Sequence, residues 1–141
     1  MNTLALAHWD VEHMEESVLR GAVSTISRDR PWFTIEAHLP QSDACEVRRK
    51  HLQNARSKVH LVREMGYSTY VLDENCGMPV DCGCRNILCV PRESVPQWTA
   101  SAIYQRFRPL LSDTNAWLGA GRRSAHAQRH TATSSGHATT A

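Results

Sequence analysis

No stretch of the 141 residues approaches the roughly 20 consecutive apolar residues of a membrane-spanning helix, and Asp10 and Glu12 interrupt the first apolar run before a signal-type segment is complete. Nothing in the pattern targets or spans a membrane, and the expected location is cytoplasmic. Charge of one sign is also missing: 16 Lys+Arg stand against 14 Asp+Glu, a balance that gives no bulk attraction to nucleic acid or anionic lipid. Cysteine is not spread along the chain as in a secreted disulfide framework. Four of the five, Cys76, Cys82, Cys84 and Cys89, fall in one short segment, which favours a reducing compartment. Residues 119–141 contain no acid, no aromatic residue and no leucine, isoleucine or valine, so they cannot bury enough apolar area to offset the entropy of ordering. They read as a disordered tail. At this length the remainder is one domain.

What is present alternates between two periods. Leu4 to Trp9 is a short apolar run ending in Asp10-Val11-Glu12, as a buried strand does at a sheet boundary. Met14, Val18, Leu19, Ala22, Val23 and Ile26 then share one helical face, with Glu15 and Glu16 suited to the first turn and Arg28 and Arg30 to the last before Pro31. Trp32-Phe33-Thr34-Ile35-Glu36 reads as a second strand. With a helix between them, the two strands are expected to be parallel neighbours joined by a right-handed crossover. A helix follows from a capping start at Ser42-Asp43 to Gly66, with Leu52, Ala55, Val59 and Val62 as its stripe. Strands are expected over 67–72 and 86–90, joined by a loop and therefore antiparallel. Trp98 to Leu111 suggest a last helix that Pro109 interrupts or ends.

Several pieces resemble one family in order and spacing. Leu6-Ala7-His8-Trp9-Asp10-Val11-Glu12, Val18-Leu19-Arg20-Gly21-Ala22, Arg30-Pro31 with Ile35-Glu36, Gly66-Tyr67, Asn75-Cys76-Gly77 and Arg85-Asn86-Ile87-Leu88-Cys89-Val90-Pro91 resemble the FkbM-type methyltransferases. The family pattern over the first of these is approximately L-K-I-D-V-E-G, V-L-x-G-A and R-P-x-x-x-x-E. The resemblance implies an α/β fold, a partial Rossmann-like class I methyltransferase sheet of parallel strands with an antiparallel terminal pair. It covers roughly residues 4–93, giving a carboxyl-terminal half-domain over 1–93, a helical extension over 94–118 and the tail over 119–141. It further implies transfer of a methyl group from S-adenosylmethionine to an oxygen of a small-molecule or sugar-like acceptor, without nucleic acid or membrane as partner. The glycine-rich cofactor loop of the family has no counterpart, which points to a truncated or split form and to a partner chain supplying the missing half. Two positions depart from the pattern: the family lysine is His8, and the glycine after the glutamate is His13, so the turn there must be made without glycine.

Asp10 and Glu12 fall at the carboxyl end of a strand, where sites on parallel sheets collect. The resemblance implies that they line the acceptor side, Asp10 orienting or deprotonating an acceptor hydroxyl. Otherwise both acids serve only the first turn of the helix that follows. Glu36 and His38 end the next strand on the same edge and can orient substrate or act as a base near neutral pH. A rival reading from another class is a non-catalytic α/β interaction module, with Cys76, Cys82, Cys84 and Cys89 in a zinc-binding or redox-active loop. Arg48, Arg49, Lys50, Arg56, Lys58 and Arg63, with His51 and His60, make one helix basic, and without interleaved aromatics this reads as a solvated outer face.

Overall fold

The computed structural model describes residues 3–39, 48–72 and 84–118. Its five-stranded sheet comprises β1 (Leu6–Trp9), β2 (Trp32–His38), β3 (Tyr67–Leu72), β4 (Cys84–Pro91) and β5 (Leu111–Asp113), in the spatial order β1-β2-β4-β3-β5. β1 and β2 are parallel, with Leu6 opposite Trp32 and Trp9 opposite Ile35. β4 lies antiparallel to both β2 and β3. The expected parallel pair and the expected antiparallel pair are both present. What the sequence did not disclose is that β4 fills a slot between β2 and β3, and that a fifth strand pairs with β3 through Leu72 and Leu111.

The helix expected after β1 forms as two pieces, α1 (Glu15–Gly21) and α2 (Val23–Asp29), divided at Ala22 with φ −92° and ψ 0°. The hydrogen bonds from Ala22 N to Val18 O and from Ile26 N to Ala22 O, both 2.9 Å, continue through the break. It is therefore a bend beside Gly21 rather than a new helix. α3 (Arg48–Glu64) packs on β2 and β3, and α1 and α6 (Thr114–Leu118) pack against α3. The capping start expected at Ser42-Asp43 and the tail over 119–141 lie outside the described residues. The last expected helix is broken up: α4 (Val95–Thr99) stops before Ser101, which is extended and caps α5 (Ala102–Phe107), and a 3-10 turn at Arg108–Leu110 leads into β5 because Pro109 cannot extend the α-helical ladder. Among the described residues no helix is long and apolar enough to cross a membrane.

Strand alternation puts Phe33, Ile35 and Ala37 of β2 and Tyr67, Thr69 and Val71 of β3 into the core with Leu19, Ile26, Val59 and Val62 from the helices. Phe33 is central, its ring 4.7 Å from that of Trp9 and 5.0 Å from that of Tyr67. The opposite face of the sheet is covered by aromatics, with Trp98 of α4 edge-on to Trp32, Tyr70 and Tyr104 at 5.4, 4.9 and 4.8 Å.

At the other end of the strands, Arg30 closes three turns at once. It is left-handed at φ 52° and donates to Met65 O (2.7 Å), Gly66 O (3.0 Å) and both carboxylate oxygens of Glu93 (2.7 and 2.9 Å). Its guanidinium also lies 4.6 Å over the Tyr67 ring. Gly66, at φ +84°, has to be glycine: a Cβ there would stand 3.3 Å from Arg30 Nη2 and would oblige an L-residue to adopt a left-handed backbone. The paired Arg-Pro and Gly-Tyr motifs of the sequence are thus one structural joint.

Phe33→Ala would leave a cavity between Trp9 and Tyr67, and it is expected to cost about 3–5 kcal/mol of stability. Urea denaturation followed by tryptophan fluorescence measures it. A loss below about 1 kcal/mol would contradict the packing described.

Candidate functional site

The parallel pair ends where β1 runs into the turn 10–14. Glu12 and His13 are both left-handed, with φ 50° and 75°, a conformation that costs a non-glycine residue about 1 kcal/mol or more. The strain is held by Glu15. This first residue of α1 is fully buried, and its Oε1 accepts from the backbone N–H groups of Val11 and His13, each at 3.3 Å. Its Oε2 accepts from Lys58 Nζ of α3 at 2.7 Å, and the same ammonium donates to Glu36 O of β2 at 3.1 Å. A glycine in the turn is therefore replaced by a carboxylate that clasps two amides and is neutralised from the neighbouring helix.

Around this clasp the chain brings its ionisable groups together. Carboxylate oxygens of Asp10, Glu15 and Glu36 lie within 4.8 Å of one another. Asp10 and Glu12 are exposed, while Glu36 and His38 are half-buried. The His38 ring is 5.0 Å from that of His13 and stacks on that of His51, from α3, at 4.7 Å and 14°. All four expected residues, Asp10, Glu12, Glu36 and His38, belong to this one end of the sheet. His8 does not join them; its Nδ1 meets Thr34 Oγ1 at 2.6 Å further down the strands.

The electrostatics follow from burial and like charge. Burial pushes the Glu36 carboxyl above its ordinary value, and the negative charges of Asp10, Glu15 and Glu12 push it the same way. Burial also raises Glu15, but the hydrogen bond and charge of Lys58, together with backbone N–H groups, outweigh it and leave this carboxyl below its usual range. His38 is lowered by burial first and then by its neighbours His51, His13 and Lys58, and His51 is lowered by burial and by His13, Lys50 and Lys58. At neutral pH the site thus presents uncharged imidazoles beside carboxylates, the combination general-base chemistry requires.

Three converging carboxylates suggest a divalent cation, but Lys58 is already hydrogen-bonded to Glu15 and supplies the charge a cation would. That leaves Asp10 and Glu36, too few protein ligands for a dedicated site. The four-thiolate arrangement also fails. Cys89 is fully buried in β4, its thiol held far up its titration range by burial, and its Sγ donates to Ile87 O at 3.6 Å; it is a core residue, not a loop ligand. Cys76 and Cys82 lie outside the described residues, as does the side chain of Cys84.

With Asp10 and Glu36 converging on Glu15 at the ends of β1 and β2, the stretch that carries them can be compared with known families. Residues 4–69 match the model of the methyltransferase FkbM domain. The FkbM family expected from the quoted motifs is the family whose model matches. The match takes in β1, α1, α2, β2 and α3 and enters β3, so every group of the clasp and of the stacked imidazoles lies inside the matched residues. No curated protein and no solved structure matches the chain.

Two expectations follow. Removing one member of the buried pair, as in Lys58→Met, strands a carboxylate out of water and is expected to cost about 3–5 kcal/mol, whereas Lys58→Met with Glu15→Gln, whose amide oxygen can still accept from the Val11 and His13 N–H groups, should recover part of it. Chemical denaturation of both variants measures the difference, and equal losses would refute the pairing. The second concerns pH. His38 and His51 have folded values below the 6.5 of the free group, so the folded protein binds fewer protons than the unfolded chain. Their contribution is complete above that value and is lost as pH falls below it. The melting temperature should drop between pH 7 and about pH 5.5, and His38→Gln should flatten that slope; an unchanged slope would show that the stacked imidazoles do not control it.

Proposed function

We propose that this FkbM segment forms the acceptor side of a methyltransferase acting on an oxygen of a small-molecule or sugar-like acceptor. The observation that carries the reading is the convergence of Asp10 and Glu36, with the buried Glu15 behind them, at the carboxyl ends of the two parallel strands, within the residues that match the family model. A parallel pair flanked by antiparallel strands supports a Rossmann-like, class I sheet seen in part.

S-adenosylmethionine is the methyl donor the family implies. The described residues do not cradle it: Gly21 ends α1 and Gly66 turns the chain after α3, and neither forms the glycine-rich strand-to-helix loop that such a donor needs. Donor binding is therefore assigned to chain outside the described residues or to a partner supplying that half. What the present residues do is hold and accept a proton. Asp10, exposed and anchored by the clasped turn behind it, accepts the hydrogen bond of the acceptor hydroxyl. Glu36, with its raised affinity for a proton, stands next to receive or share it. The His13, His38 and His51 rings form one wall.

Calorimetric titration of the 141-residue chain with S-adenosylmethionine should show no micromolar binding, and a micromolar isotherm would overturn this division of the site. Once the donor half is supplied, Asp10→Asn should lower turnover by about 10²–10⁴-fold with cofactor affinity nearly unchanged. Stability should change by at most about 1 kcal/mol, because Asn serves a helix start nearly as well as Asp. Full turnover in this variant would remove Asp10 from the chemistry.

A further inference from the structure

α5 is the one helix whose side chains largely ignore the rest of the described molecule. Of residues 101–110 only Ser101 and Tyr104 are even half-buried, Tyr104 resting on Trp98. Ile103, Phe107 and Leu110 recur at i, i+4 and i+7 and are 65, 51 and 50% exposed, an apolar stripe along α5 and the 3-10 turn that follows. Arg106 and Arg108 flank the stripe, both exposed, and no acid occurs between Ser94 and Ser112. The asymmetry extends along the chain. Residues 95–141 carry five arginines and one acid, whereas residues 1–94 carry 11 Lys+Arg against 13 Asp+Glu.

We propose that the stripe of Ile103, Phe107 and Leu110 with Arg106 and Arg108 seats the protein on the face of an anionic lipid bilayer. The charge selects this occupant. A second copy of the chain would bring Arg106 and Arg108 against their own kind, whereas a plane of anionic headgroups complements them and accepts the apolar stripe between. A protruding helix, attached to the body through Trp98, fits a plane better than it fits a groove. The contact is with the surface of the bilayer and not a span. It is independent of the methyltransferase reading.

Cosedimentation of the full chain with vesicles tests it. Binding is expected on phosphatidylcholine vesicles containing about a quarter phosphatidylserine, with little on pure phosphatidylcholine and a marked loss at about 0.5 M salt. Arg106→Gln with Arg108→Gln should weaken partition about 25-fold, fivefold for each basic residue. Ile103→Ser with Phe107→Ser should weaken it about tenfold or more. All four side chains are exposed, so circular dichroism should find both variants folded, and either variant alone is sufficient for the test. Three outcomes would overturn the proposal: no preference for anionic vesicles, wild-type binding by the serine variant, or a dimer in sedimentation velocity that the serine variant abolishes without any lipid binding.

Discussion

The site rests on one ion pair. Glu15 has no contact with water, and Lys58 reaches it at 2.7 Å from a helix 43 positions further along the chain. Taking both charges out of water is expensive, and such a pair contributes little net stability compared with apolar residues of the same volume. Its value here is geometric. The carboxylate is the acceptor that keeps Val11 and His13 amides satisfied while Glu12 and His13 remain left-handed, and the ammonium ties the same point to the main chain of β2. Without it the turn has no reason to stay in a conformation glycine would adopt freely. Asp10 and Glu12, which flank Val11, would have no fixed place.

A second consequence of the pair is electrostatic. It holds the Glu15 carboxyl below its usual range, while burial and the nearby negative charges drive Glu36 toward its protonated form. The imidazoles complete the balance from the other side, held uncharged by burial and by the same Lys58. One buried cation thus fixes the shape of this end of the sheet, and burial first of all sets its proton inventory.

Much of this was legible in the residues. The helical period between two apolar runs was enough to make β1 and β2 parallel, and the missing helix between β3 and β4 was enough to make them antiparallel. Asp10, Glu12, Glu36 and His38 were singled out by strand-end position and, for Asp10 and Glu12, chiefly by the family resemblance. The partners that hold them were not. Glu15 has the sequence signature of an ordinary first-turn acid, and Lys58 sits in a basic run that reads as a solvated face, yet Lys58 is 5% exposed. Local periodicity says which way a residue faces and nothing about which ion waits 43 positions away. His13 and His51 were overlooked for the same reason, because stacking on His38 is a long-range fact. β5 was missed because three residues beside Pro109 carry no strand pattern of their own.

β4 carries a consequence for the order in which the molecule can assemble. It comes after β3 in the chain and lies before β3 in the sheet. In the finished sheet β2 and β3 are joined only through β4, so before residues 84–91 are placed there is an empty lane between them. Nothing closes that lane until residues 84–91 arrive and form hydrogen bonds on both edges. Since the loops spanning these contacts are long, closure is entropically late, and β2 and β3 must keep exposed pairing edges throughout the wait. A chaperone or an aggregating neighbour would find the protein at this stage through the edge of β2, the same strand whose far end carries Glu36.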